Sequence, residues 1–201
     1  MRRGAGGCRR VVGHSYGGAI ISDAATGVAN VVGLVFASAF APDEGETLGE
    51  LNARFAPPPG VAHFQVDSLG FVWLDPAAFP ANFVQDVALQ EARVMAAVQE
   101  PIGQPSPSRR AAGVAEVPSW FLVSTRVPMI YPDLLRFMAD RVGARTVEVR
   151  SSNASAVSHP QPGRQAGPGR RPGRYAGLGR RGCGVGEWPR TWTAAWRHRS
   201  A

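Results

Sequence analysis

With 201 residues, 44% of them hydrophobic, and a formal net charge of +7, the chain has the length of one ordinary domain with a real core. No stretch approaches the roughly eighteen uninterrupted apolar residues of a membrane span, and the start, Met1-Arg2-Arg3-Gly4-Ala5-Gly6, carries charge without the apolar region of a secretory signal. A cytoplasmic location and no membrane partner are therefore expected. The charge does not call for a nucleic-acid partner, because residues 161–201 hold nine Arg against the single acid Glu187, a balance of +8, which leaves 13 − 14 = −1 for residues 1–160.

Residues 1–10 read as an irregular Gly/Arg-rich extension. Arg10-Val11-Val12-Gly13 then forms the end of a strand, and Gly18-Ala19-Ile20-Ile21-Ser22-Asp23-Ala24-Ala25 has the small and apolar residues of a buried helix. Residues 31–40 are β-branched and apolar, as in a central strand of a parallel sheet covered on both faces. From about 48 to 112, amphipathic segments are interrupted by Pro57-Pro58-Pro59 and Pro76, and residues 83–98 carry apolar side chains at helical spacing. That stretch is expected to be a helical cap inserted into the core.

The β-α alternation resumes with a strand over 119–124, a helix over 132–142 and a short strand over 146–149. A closing helix is expected to begin near Pro160. From Gln161 onward, runs such as Gly167-Pro168-Gly169-Arg170-Arg171-Pro172 lack any hydrophobic period, so residues 161–201 are expected to be disordered. Trp188, Trp192 and Trp196 are spaced for one face of a short helix, although composition alone accounts for them. The two cysteines, Cys8 and Cys183, sit in Gly/Arg-rich ends with no second ligand pair nearby; free thiols are expected, and no metal site.

Between the first strand and the first helix stands Gly13-His14-Ser15-Tyr16-Gly17, a Gly-x-Ser-x-Gly sequence. On a sharp strand-to-helix turn this pattern lifts a serine hydroxyl above the sheet, with glycines admitting the neighbouring backbone. Ser15 would act as nucleophile. The helix start would lend partial positive charge, and the Tyr16 N–H would donate to an oxyanion formed from an ester carbonyl.

The stretch Val11-Val12-Gly13-His14-Ser15-Tyr16-Gly17-Gly18-Ala19, with residues 30–46 and 117–160, resembles the α/β-hydrolase superfamily, and within it the small esterases that include plant methylesterases and hydroxynitrile lyases. The resemblance covers about 11–160. It implies an α/β fold with an eight-stranded, mostly parallel sheet, flanking helices, no cofactor, and a Ser–acid–His order along the chain. Here the fold would be incomplete, since members of this family carry further strands and a second oxyanion donor ahead of the elbow. The Gly/Arg bias of both ends suggests a truncated or frameshifted product, with an exposed sheet edge as the physical consequence.

The resemblance also shows what has been replaced. The family acid falls in a pattern like Thr-Glu-Asp-x-Met-Ile, which here reads Thr125-Arg126-Val127-Pro128-Met129-Ile130, so the acid position is Val127. The family base falls in Ser-Ser-His-Ala-Ser-Met, here Ser151-Ser152-Asn153-Ala154-Ser155-Ala156, so the base position is Asn153. Asparagine cannot take a serine proton near neutral pH, and valine cannot orient an imidazole.

Of the remaining histidines, His159 is a weak surrogate-base candidate, His14 is aimed away from the serine hydroxyl by its place in the chain, and His63 and His198 are incidental. Asp43 and Glu44 lie at the same sheet edge, where solvated loop acids are the simpler reading. The expected activity is hydrolysis of small carboxylic esters through Ser15, impaired by the two replacements. The alternative is an inactive hydrolase fragment that binds small apolar ligands.

Overall fold

The computed structural model describes residues 7–103 and 117–159. The expected disorder of 161–201, the Trp-rich segment, Cys183, His198, the first residues of the N-terminal extension and the end of the cap segment lie outside those residues.

The elements run β1 (Arg9–His14), α1 (Gly17–Ala25), β2 (Val31–Ala37), α2 (Leu48–Asn52), a 3₁₀ turn (Pro59–His63), β3 (Phe64–Val66), β4 (Phe71–Leu74), α3 (Phe79–Asn82), α4 (Leu89–Ala97), β5 (Ile102–Gly103), β6 (Ser119–Ser124), α5 (Pro132–Arg141), β7 (Arg145–Val149) and α6 (Ser155–Ser158). Among the described residues four strands form a parallel sheet in the order β1-β2-β6-β7. In register, Val12 faces Val35 across β1 and β2, Phe36 faces Phe121 across β2 and β6, and Leu122 faces Val147 across β6 and β7.

Parallel strands buried on both faces carry apolar residues at every position rather than at alternate ones, and β2 and β6 do so. Leu34, Phe36, Phe121 and Val123 face α1 and α5, meeting Ile21, Ala25, Leu135 and Met138 in one core. Val35, Ala37, Trp120, Leu122, Val147 and Val149 fill the opposite face. The rings of Phe36 and Phe121 stack with centroids 5.4 Å apart, fixing the register of the two central strands from within. Among the described residues β1 lies at the edge of this sheet, and Val12 and Ile20 beside it are exposed.

The segment between β2 and β6 holds more than helices. β3, β4 and β5 make a separate three-stranded antiparallel sheet, which the helical reading of the cap does not anticipate. The continuous helix expected over 83–98 is also divided. After α3 the chain turns, and α4 starts only at Leu89. The reason is tertiary: Val84 is fully buried, Gln85 donates to the Arg126 carbonyl, and the Asp86 carboxylate accepts from Ser152 and Ser158, so these residues are drawn into the core boundary. β2 stops at Ala37 because Ser38 takes a left-handed φ of 46°. The closing helix begins at Ser155, before Pro160.

Two further observations bear on the expectations. Cys8 is disulfide-bonded, not a free thiol; pairing depends on two sulfurs meeting in space, which sequence spacing does not reveal. No helix among the described residues is long and apolar enough to cross a membrane.

Candidate functional site

The elbow is built by strain and close approach. Ser15 has φ 53°, a left-handed backbone that a residue with a Cβ adopts at a cost of order 1–2 kcal/mol. It is held there from both sides. The Ser15 N–H donates to the Ala37 carbonyl at 3.3 Å, and the Ser15 carbonyl accepts from Phe40 at 3.0 Å and Gly18 at 3.1 Å. The turn is thus latched to the end of β2.

Two glycines make this packing possible. A Cβ on Gly13 would sit 2.6 Å from the Gly17 carbonyl oxygen, and one on Gly18 would sit 2.1 Å from the Phe40 carbonyl oxygen. At Gly17 a Cβ would meet nothing within 4 Å. The steric demand therefore falls on the first glycine of the motif and on the glycine just after it, not on the second motif glycine. Tyr16 stands at the N-cap of α1, and among the described residues its N–H carries no hydrogen bond. An unspent amide beside the serine at a helix start is what an oxyanion donor requires.

Val127 lies in the loop after β6 and is buried. That loop is tied to the end of β7, since Thr125 N–H donates to the Val149 carbonyl at 2.9 Å and Arg126 N–H to the Ser151 carbonyl at 3.1 Å. Asn153 lies in the loop after β7, fully buried, and its side-chain oxygen has no hydrogen-bond partner.

His14 Nε2 is 2.8 Å from the backbone carbonyl oxygen of Asn153 and 3.3 Å from the side-chain nitrogen Nδ2 of the same residue. A carbonyl only accepts, so the shorter contact assigns the proton to Nε2. The amide approach is then a contact rather than a second bond. Surrounding protein holds the His14 pKa below its ordinary value by desolvation, which outweighs the opposing hydrogen bond to Asn153. His14 as a whole is exposed, so water tempers this effect.

His159 sits at the end of α6 with Nδ1 2.9 Å from Ser158 Oγ and 3.6 Å from Asp86 Oδ2. Asp86 accepts from the Ser152 N–H at 2.8 Å and from the Ser158 hydroxyl at 2.9 Å. Burial alone would push this carboxyl up, but the interactions with Ser152 and Ser158 prevail and its pKa is lowered. The Ser152 hydroxyl contributes electrostatically, although its geometry falls short of a hydrogen bond. Asp86 escapes a reading of the sequence because it stands in a cap segment with no motif around it, and only the folded chain sets it against residues 152–159.

The other candidates stand apart. Asp43 and Glu44 are exposed, with Asp43 Oδ1 accepting from the Glu44 N–H. His63 is exposed at the end of the 3₁₀ turn. Beneath the site, the buried hydroxyls of Ser38, Ser124 and Ser151 form a chain with links of 2.5 and 2.8 Å across the ends of β2, β6 and β7. Among the described residues no group of three or more His, Cys, Asp or Glu side chains gathers to hold a metal ion.

The sequence profile of the Alpha/beta hydrolase family matches residues 2–166. No curated protein sequence matches the chain. Among solved structures, polyneuridine aldehyde esterase superposes with a TM-score of 0.62 at 14% identity, over 78% of this chain and 69% of that one. A pyrethroid hydrolase from Sphingobium faniae JZ-2 gives 0.61 at 20% identity, over 78% and 68%. A variant of tomato Methylketone Synthase I complexed with beta-ketoheptanoate gives 0.64 at 18% identity, also over 78% and 68%. At these identities the likeness is one of fold.

Proposed function

The chain belongs to the alpha/beta hydrolase family, and from that premise we propose that it is a serine hydrolase of the carboxylic-ester type, with Ser15 as nucleophile and the Tyr16 N–H as oxyanion donor. The observation that carries this reading is the left-handed Ser15 on a strand-turn-helix, held against β2 and followed by an unspent amide. Strain of this kind persists only where surrounding structure enforces it, and such enforcement concentrates at functional sites.

In the proposed reaction Ser15 Oγ attacks the carbonyl carbon of a small apolar ester, and the oxyanion is received by Tyr16 N–H. The C–O bond to the leaving alcohol then breaks as that oxygen takes up the proton given up by the Ser15 hydroxyl. Water then adds its hydroxyl to the acyl carbon of the acyl-serine, the acid leaves, and the remaining proton of that water restores the Ser15 hydroxyl. With Val127 and Asn153 at the family's acid and base positions, turnover is slower than in a member carrying both groups. Esterases and hydrolases among the structural neighbours fit a carboxylic-ester substrate.

Fluorophosphonate labelling tests the reading. Stoichiometric modification of the folded protein, abolished by Ser15→Ala, is expected. A folded protein that stays unlabelled at long exposure would instead favour an inactive binder of small apolar ligands, the reading to which the buried Val127 and the Asn153–His14 bond also lend weight.

A further inference from the structure

The parallel sheet has two apolar faces, and the long described helices cover one of them. Every helix from α1 to α5 sends its buried apolar residues into the core on the Phe36 and Phe121 side. On the other side Val35, Trp120, Leu122 and Val147 are no more than 6% exposed. The apolar neighbour packed there among the described residues is Ala156 of α6, and Arg10 lies over the Trp120 ring, 5.2 Å from its centre. One alanine and one guanidinium are too little to bury four such side chains, each of which needs neighbours on every side. A further stretch of chain therefore lies across β2, β6 and β7. It leaves part of β1 open, because Val12, which faces Val35, is 42% exposed.

The course of the chain identifies that stretch. The loop before α6 reaches the C-terminal end of β1, where Asn153 meets His14, so the chain leaves α6 at the C-terminal rim of the sheet, with residues 160–201 still to follow. Cys8, at the opposite rim, directly precedes the first residue of β1 and is disulfide-bonded. The sequence has two cysteines, so the partner the chain itself offers is Cys183. A path from α6 to Cys8 must run from one rim to the other. Between His159 and Cys183 stand 183 − 159 − 1 = 23 residues, which reach about 35 Å even when helical, against a sheet roughly 20 Å long and 14 Å wide.

We propose that Cys183 pairs with Cys8 and that the stretch from Pro160 to Cys183 crosses the second face of the sheet, covering Val35, Trp120, Leu122 and Val147. Its apolar side chains, Ala166, Tyr175, Ala176 and Leu178, lie against that face, while its six Arg keep their guanidinium groups in water. A segment with so few apolar residues would not hold this place alone. The disulfide removes the freedom it would otherwise keep, and so acts as the clasp of the cover.

Peptide mapping without reductant and hydroxyl-radical footprinting of the full chain test the proposal. Mapping should join the Cys8 peptide to the Cys183 peptide within one monomer, and footprinting should find Trp120, Tyr175 and Leu178 protected. A dithiol then gives two electrons and two protons to the Cys8–Cys183 bond, which becomes two thiols as the reagent closes to its own disulfide. With those thiols alkylated, modification of Trp120 and Leu122 should rise toward the rate of the urea-unfolded chain, whereas Phe36 and Phe121 on the other face stay protected. The urea midpoint should fall by about 1 M or more, and Cys183→Ser should reproduce both changes without reagent. A free Cys8, or a bond between the Cys8 residues of two copies, would overturn the pairing. Trp120 still protected after reduction would overturn the cover. Should reduction unfold the whole sheet, the oxidised wild type decides alone: Tyr175 and Leu178 modified as fast as in the urea-unfolded chain overturn the proposal, and their protection sustains it.

Discussion

His14 Nε2 donates to the carbonyl oxygen of Asn153 across 2.8 Å, which joins the residue before the elbow serine to the loop after the last strand. Because the Nε2 proton is committed to that carbonyl, this nitrogen cannot accept one from Ser15. His14 thereby fixes the loop against β1, and the fully buried Asn153 side chain occupies the place where the resemblance puts a base.

Reinstating the family pair follows from that placement. Val127→Asp with Asn153→His should raise hydrolysis of a p-nitrophenyl ester by about 100-fold or more in folded protein, the scale of a positioned general base. Val127→Asp alone should lower stability, since it buries a carboxyl in an apolar site without a partner. No gain in a double variant with a native circular-dichroism spectrum would reject the alignment of these positions.

The glycines should divide sharply. Gly18→Ala drives a Cβ to 2.1 Å from backbone at Phe40 and is expected to prevent folding or to cost several kcal/mol, of order 3 or more. Gly17→Ala meets open space at the first helical position and should be neutral or stabilising by about 0.4–1 kcal/mol. Urea midpoints of the two variants decide it, and equal losses would contradict the steric account.

Strain at the serine has its own signature. Ser15→Gly removes the Cβ that disfavours φ 53° and should raise stability by about 1 kcal/mol while abolishing fluorophosphonate labelling. A stability change no larger than that of Ser15→Ala would mean that the turn stores no such strain.

Stability should show two acid limits. The folded His14 titrates below the ordinary value of about 6.5, so the unfolded chain binds more protons in the window just beneath it. Its contribution is complete above about pH 6.5 and declines as pH falls toward the lower folded value, by a small amount because the residue as a whole is exposed. Burial pushes Glu46 up, but its interactions with Arg141 and Arg54 prevail and lower it; Asp86 is lowered as well. These carboxylates stabilise the fold above their unfolded values near 4 and lose that effect below them. Unfolding midpoints from pH 8 to 3 should show a shallow early step absent in His14→Gln, and a steeper late one shared by both proteins.

The elbow was legible because its demands are local. A β-branched run, a Gly-x-Ser-x-Gly turn and a helix of small residues follow one another within seventeen residues, Arg9 to Ala25, and each is a short-range preference. The apolar runs of β2 and β6 likewise announced strands buried on both faces. The pattern failed in the cap, where helical spacing over 83–98 gave way because Gln85 and Asp86 bond to residues far along the chain.

Sequence by itself determined the strand-turn-helix unit and the confinement of the excess charge to the last forty-one residues. Tertiary structure alone decided which glycines are indispensable, that His14 bonds to Asn153, that Cys8 is disulfide-bonded, and that a cap aspartate stands beside His159. The division has a physical cause: backbone preferences act over a few residues and leave a periodic trace, whereas a hydrogen bond spanning 139 positions in the chain depends on every element folded between its ends.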